Sequence, residues 1–322
     1  RPPPPPRPPS LFFFDPPTTE NDTRVGSSAA SDVYKRQELT LIIDKIKVKQ
    51  NFSFGKKEVL SGIDIPQDFL NKRSQAKLGG RFEIGDGVFV LSEKEYKELN
   101  LSDREKKLMK PFYTTNELGR YFGNKKNKYC IIYTNSSFKQ INSLDDYPNI
   151  KKHLDKFQDI ITSENKPYGL NRARQDGISF ISEKIISKRK CVKTPVFTYT
   201  DFDAFFNRTF MQIITKRINL KYLTGLLNSN LIAFWLKYQG NMQGSIYQID
   251  KTPLMNLQII QPSKEVQKQV AELVSNIISN KQKQIDYKAL HHKAKTENQF
   301  DREIQLTKAL EQITVTLEQT ES

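Results

Sequence analysis

The stretch Lys166–Lys190, KPYGLNRARQDGISFISEKIISKRK, decides how the rest of the chain is read. It holds seven cations (Lys166, Arg172, Arg174, Lys184, Lys188, Arg189 and Lys190) against two acids, Asp176 and Glu183. Tyr168, Asn171, Gln175 and Phe180 lie among those charges. Arg grips a phosphate or a guanine edge through two parallel hydrogen bonds, and Asn or Gln does the same for adenine. Cations interleaved with amides therefore suit a surface that reads DNA. A charge run by itself is only a solvated face.

Outward from that stretch, the first 37 residues read as foreign to the rest. Nine of the sixteen prolines fall between Pro2 and Pro17. Ser27–Gln37, SSAASDVYKRQ, resembles the translation of a transposase adapter used in sequencing libraries. Residues 1–37 are therefore expected to be disordered and non-native, and are set aside. The run Leu11–Phe14 is far shorter than the roughly 20 apolar residues a membrane span needs. The remaining 285 residues hold 46 Lys or Arg and 32 Asp or Glu, a net charge of about +14. Such a balance favours a polyanionic partner, and no basic amphipathic helix beside an apolar anchor points to a membrane. Cys130 and Cys191 come without a CxxC pair or a His pair at ligand spacing, which excludes a metal site of that kind and suits a reducing compartment.

The pattern of elements is mixed α+β. Leu39–Lys49 alternates and reads as a strand pair or a linker, and Val59–Phe69 as loop. Gly79-Gly80 precedes a strand-like Phe82–Leu91 with a turn at Gly85-Asp86-Gly87; a nucleotide-binding loop would need a following helix and a downstream acid. Ser92–Lys110 reads as a charged helix stopped by Pro111. Tyr129–Thr134 is β-branched and apolar, a central strand. Asp145–Thr162 is helical, with Ile150, Leu154, Phe157 and Ile161 on one buried stripe and His153 toward solvent. Thr194–Asp201 and Thr209–Thr215 read as strands joined by an excursion carrying Asn207 and Arg208. Tyr222–Tyr238 is an apolar helix anchored by Trp235 and ended by Gly240. Asn241–Asp250 reads as a polar, flexible loop, and Leu254–Ile260 as a closing strand. Ser263 caps a helix whose stripe is Val266, Val270, Leu273, Val274 and Ile277. A last helix, with Leu306, Leu310, Ile313 and Leu317, folds back on it or pairs with a partner.

KPYGLNRAR followed by EKIISKRKC resembles the central block of the TaqI-like C-terminal specificity domain, the target-recognition part of adenine-specific DNA methyltransferases in type II and IIG restriction–modification systems. Further blocks follow the same order: KPFYTTNELGRYFGN (Lys110–Asn124), YPNIKKHLDKF (Tyr147–Phe157), YLTGLLNSNLIAFWL (Tyr222–Leu236) and NMQGSIYQID (Asn241–Asp250). Asn171 stands where relatives tend to have His. The resemblance spans roughly Gly79–Pro262. It implies a mixed target-recognition domain over 79–262, preceded by a linker (38–78) from a methyltransferase domain and followed by a helical appendage (263–322).

The resemblance marks the basic stretch as a block, and side-chain chemistry assigns the individual roles. Tyr168, Asn171, Arg172, Arg174 and Gln175 are candidates for base or phosphate contact; Lys184, Lys188, Arg189 and Lys190 mostly for phosphate. Asn207 and Arg208 form a second group, and Asn241, Gln243 and Tyr247 a third. No catalytic, cofactor-binding or metal-ligating residue is assigned. Residues 38–322 contain no Pro-Pro, so the Asn/Asp-Pro-Pro-aromatic motif that holds a flipped adenine is not found there. Asp15-Pro16-Pro17-Thr18 lies in the excluded segment, and Glu95-Tyr96-Lys97 meets a nuclease pattern only trivially. The reading is therefore a cytoplasmic recognition module that binds double-stranded DNA and no membrane. S-adenosylmethionine would serve a methyltransferase domain in cis, outside this sequence. A non-catalytic protein-interaction or RNA-binding module is the alternative.

Overall fold

The computed structural model describes residues 28–174, 179–181 and 183–321. The chain divides into two units, residues 1–48 and 49–322. The described part of the first is one helix, α1 (Ser28–Val48). It replaces the strand pair expected over Leu39–Lys49, and it takes in residues 28–37, where disorder was expected. Leu39, Ile42, Ile43 and Ile46 recur at i, i+3, i+4 and i+7, the helical spacing. Lys45 and Lys47 in the last turn suit the negative end of the helix dipole.

The second unit is mixed α+β, with three small sheets and two long C-terminal helices. The largest sheet has five strands in the order β1 (Val59–Ser61), β9 (Phe210–Ile213), β6 (Lys184–Lys188), β8 (Phe197–Thr200) and β4 (Tyr121–Phe122). Only the β4–β8 pair is parallel. A second sheet is ordered β2 (Val90–Ser92), β5 (Tyr129–Ile132), β3 (Met109–Phe112), with β5 central as expected. Pro111 sits inside β3 rather than stopping a helix. The third sheet is β10 (Asn241–Gln243), β11 (Ile246–Gln248) and β7 (Lys190–Val192). β1 pairs with β9, so the segment read as loop and linker supplies an edge strand of the main sheet.

One apolar core joins the first two sheets. Val88–Leu91, Phe112, Ile131 and Ile132 meet Phe180, Phe205, Phe206 and Phe210 in it. Phe180 stacks on Phe205 with centroids 5.1 Å apart and meets Phe206 edge-on at 5.2 Å. α5 (Pro148–Asp155) and the turn after it add Ile150, Leu154, Phe157 and Ile161, the predicted stripe. His153 departs from expectation. It is buried, its Nε2 lies 2.9 Å from the Val88 carbonyl, and its ring meets Phe157 edge-on at 5.2 Å. Burial lowers its pKa.

After the short α2 (Lys72–Lys77), the stretch read as one charged helix is two short ones, α3 (Glu93–Glu98) and α4 (Asp103–Lys106), each opened by a reciprocal Ser–Glu cap. Glu95 of the trivial nuclease pattern is one of those caps. Glu105 reaches further. α5 begins at Tyr147-Pro148 with no side-chain cap of its own. The Glu105 carboxylate accepts from the backbone N–H groups of Asn149 (2.7 Å) and Ile150 (3.2 Å) while also accepting from Ser102 N–H (2.8 Å). One buried acid thus caps two helices. Burial works to raise its pKa, but the bonds from Ser102, Asn149 and Ile150 outweigh that and hold it at about 2.

The expected long apolar helix is split into α6 (Leu220–Leu227) and α7 (Asn230–Gln239). Asn228 at the break is buried; its Oδ1 accepts from Phe197 N–H (3.1 Å) and its Nδ2 donates to Phe197 O (2.8 Å). Ser229 then caps α7. α8 (Lys251–Met255) stands where a closing strand was expected, and only Ile259 pairs, with Phe52. α9 (Lys264–Thr296) starts at Ser263 as read, though Val266 and Leu273 of its predicted stripe are exposed. α10 (Phe300–Glu321) folds back on α9, where Ile313 and Leu317 pack with Val274, Ile277 and Tyr121.

Replacing Glu105 by Ala leaves several buried donors unanswered. We expect a loss of about 1.5–3 kcal/mol at neutral pH, measured by urea unfolding. Because the folded pKa lies below the ordinary 4.5, this share of stability is present above pH 4.5 and fades as pH falls toward 2. The variant should therefore lose less on acidification than the parent chain.

Candidate nucleic-acid interface

The basic block is held by a short segment that the sequence gives no reason to notice, Gly62–Asp64. Gly62 N–H donates to Phe210 O (3.1 Å) and Ile63 N–H to Phe206 O (2.9 Å) on one side. Asp64 and Arg172 exchange backbone bonds of 3.1 and 3.2 Å on the other. Arg174, with φ +67°, donates its Nε to Gly62 O at 3.0 Å. A Cβ on Gly62 would sit 2.2 Å from the Asn207 carbonyl, so only glycine lets the two backbones approach. Burial lowers the Arg174 pKa, and the neighbouring Arg172 guanidinium adds to that. Asp64 also lies 3.5 Å from Arg208. The Arg172–Arg174 loop and the Asn207–Thr209 turn are thus neighbours, although three strands, β6, β7 and β8, separate them in sequence.

Beside them is a cleft of about 410 Å³ where β6, β7, the 208–209 turn and β11 meet. Lys188, Arg189, Lys190 and Arg208 line it, with Asp250 the one acid among its lining residues and Thr115, Thr209 and Gln248 as polar neighbours. Lys188 Nζ donates to Thr115 O at 3.1 Å. Arg189 binds Asp250 through its guanidinium and donates Nη1 to Arg208 O at 3.0 Å. Lys190 is exposed. Three of these partners are therefore backbone carbonyls or solvent, and the lining keeps four positive charges against one negative.

The third sheet forms one wall. Asn241–Asp250, expected as a flexible loop, contains the hairpin β10–β11 closed by Gly244-Ser245. Gly244 has φ +58° and Ser245 does not share it, the pattern of a II′ hairpin turn. Asn241 and Gln243 are exposed, and Gln243 Oε1 accepts from Gln248 Nε2 at 2.9 Å.

Four sequence candidates need correction, and a fifth lies outside the described residues. Tyr168 is 1% exposed and donates its hydroxyl to Asp155 at 2.8 Å, so it is a core residue. Lys184 is 0% exposed, with Nζ bonded to Phe180 O (2.8 Å) and Phe202 O (3.0 Å). Burial depresses its pKa to about 8. Tyr247 is buried on the inner face of the hairpin. Asn207 is half-buried and committed within the protein, donating to the distant Asp68 (2.6 Å) and accepting from Thr209 N–H (3.1 Å) in its own turn. Gln175 lies outside the described residues. Asn171 is half-buried at the edge of the loop, and its backbone carbonyl accepts from Asn165. Thr115, Gln248 and Asp250 were missed. Gln248 and Asp250 lie in the polar run 241–250 that the sequence marked, while nothing in the sequence marked Thr115. Among the described residues no group of three His, Cys, Asp or Glu is placed to hold a metal, and no helix is long and apolar enough to cross a membrane.

The basic loop and the cleft both lie in a part of the chain that resembles a known specificity domain. Residues 110–259, which carry Arg172, Arg174 and every residue lining the cleft, match the family model of the TaqI-like C-terminal specificity domain. Over 106 residues the chain is 27% identical to the type II methyltransferase M.HincII of Haemophilus influenzae, which covers 30% of this chain and 21% of that protein. It is 26% identical over 106 residues to the type II methyltransferase M.HindII of Haemophilus influenzae (strain ATCC 51907 / DSM 11121 / KW20 / Rd), covering 30% and 20%. The match thus spans about a fifth of the length of these curated relatives. The Type IIL restriction-modification enzyme MmeI, solved in complex with DNA, superposes on 72% of this chain and 28% of its own with a TM-score of 0.51 and 13% identity, a likeness of fold.

Gly62→Ala should force the 62–64 segment away from Asn207 and lower stability by about 1–3 kcal/mol in thermal unfolding. Gly119→Ala is the control, because its nearest neighbour is an ordinary 3.6 Å away, and it should be near neutral.

Proposed function

We propose that this chain binds duplex DNA as the target-recognition part of an adenine-specific restriction–modification methyltransferase. The observation that carries the reading is the cleft itself: four cations against one acid, inside the family-matched segment and continuous with a rigid polar hairpin. Lys188, Arg189, Lys190 and Arg208 are assigned to phosphates. A phosphate row rewards cations that are fixed in direction yet still charged, and it fixes register without reading sequence. Arg172, Arg174 and Asn171 flank the cleft and extend the same surface. The methyl donor, S-adenosylmethionine, would be bound by a catalytic domain in cis, and no residue of this chain is assigned to it. The similarity to two type II methyltransferases and the likeness of fold to MmeI, solved in complex with DNA, support this assignment by analogy.

The test is a salt titration of duplex binding by the full chain. Log affinity should fall linearly with log salt, and Lys190→Ala or Arg208→Ala should each reduce the slope by about 1. Lys184→Met should lower stability and leave the slope unchanged, because that ammonium is inside the protein. Salt-insensitive association, or a preference for single-stranded RNA, would overturn the reading.

A further inference from the structure

The third sheet has two unlike faces. Its pairing places Asn241 opposite Gln248 and Gln248 opposite Lys190, one row across all three strands. Two residues along, Gln243, Ile246 and Val192 form the next row on the same face. Between them Met242, Tyr247 and Cys191 point the other way, and Tyr247 and Cys191 are buried. One face of the sheet is thus anchored in the protein. The other presents amides, a lysine and two aliphatic side chains to solvent, with Val192 64% exposed.

Strands separated by about 4.8 Å make a two-stranded ribbon narrow enough for the roughly 12 Å major groove of B-DNA. β10 is an edge strand, so the ribbon β10–β11 is free to enter, while β7 stays at the rim with Lys190 beside the phosphate-binding cleft. Rows two residues apart on a strand are about 6.7 Å apart, close to two base-pair steps of 3.4 Å. The amides are also held ready. Gln248 Nε2 donates to Gln243 Oε1 at 2.9 Å, which orients both side chains. It leaves the Gln248 carbonyl oxygen as an acceptor and the Gln243 amide nitrogen as a donor, the pair that adenine N6 and N7 require. Ile246 lies opposite Gln243, two residues along β11 from Gln248, and offers an apolar contact to a thymine methyl.

We propose that the solvent face of the β10–β11 ribbon reads base edges in the major groove, with Gln248 and Gln243 selecting adenine and Ile246 the methyl of thymine. This rests on the DNA-binding reading and adds to it which residues carry sequence discrimination. The sequence-based expectation placed base or phosphate contact in the Tyr168–Gln175 loop and named Asn241, Gln243 and Tyr247 as a third DNA-facing group without a base-reading role.

The experiment is selection of a randomised duplex DNA pool by the full chain, followed by sequencing of the enriched molecules. The parent chain should enrich a motif containing adenine. Gln248→Ala should lose preference at one position by roughly 5- to 150-fold, the range of a single bidentate contact, and keep the rest of the motif. Gln248→Arg should move that position toward guanine, a gain that a misfolded variant cannot produce. Lys190→Ala should weaken binding to all sequences alike. The same motif from every variant, or duplex binding without sequence preference in the parent chain, overturns the inference and leaves DNA binding standing. No duplex binding at all overturns the DNA-binding reading and the inference with it.

Discussion

The candidate interface depends on the close passage of Gly62–Asp64 between two loops. Its N–H groups are answered by Phe206 and Phe210 on one side, and its Asp64 backbone by Arg172 on the other. Without that segment the Arg172–Arg174 loop and the Asn207–Thr209 turn would share no partner. The passage is possible because residue 62 has no side chain, and because Phe205 and Phe206 anchor the turn in the aromatic core behind it. A loop that presents charge to solvent has little packing of its own to fix it. Here the fixing is done by backbone hydrogen bonds to a short segment that the chain supplies from more than a hundred residues upstream.

That arrangement explains how far the sequence could be read. The family blocks, the α+β class, the central strand at Tyr129–Ile132 and the buried stripe Ile150–Leu154–Phe157–Ile161 were all legible, because each is a local pattern of apolar residues or a run of recognisable letters. The split at Asn228 was not, since LLNS reads as continuous helix until Phe197 is placed beside it. His153 was misplaced for the same reason: its partner, the Val88 carbonyl, lies 65 residues away. The hairpin at 241–248 looked like flexible loop because its polar letters record only the solvent face; the inner face, Tyr247 against Cys191, appears once β7 is paired.

The basic block was legible in position and not in detail. Seven cations in one stretch single out the region, but charge alone does not say which side chains point outward. Lys184 lies in β6, the central strand of its sheet, with neighbours on both sides, and a strand alternates its side chains. Its ammonium is therefore inside, answered by carbonyls of Phe180 and Phe202. Lys188, four residues on, reaches the cleft because β6 ends there and the chain turns through Arg189 into β7. Tyr168 was drawn inward by a different force: its ring is fully buried and its hydroxyl finds Asp155.

The partners of the cleft cations show why such a surface stays positive. A carboxylate would orient a guanidinium and cancel its charge at the same time. A backbone carbonyl orients it and leaves the charge in place, since it contributes a dipole and no net charge. Lys188 on Thr115 and Arg174 on Gly62 use the second arrangement, and Arg189 combines the two, on the Arg208 carbonyl and the Asp250 carboxylate. Only Arg189 also meets an acid inside the cleft, and Asp250 in turn borders the hairpin. Fixing a long side chain beforehand removes part of the rotamer entropy that binding would otherwise cost. On the proposed reading, cations held by carbonyls would meet a phosphate row already directed and still charged, while the uncharged amide face beside them would distinguish one base edge from another.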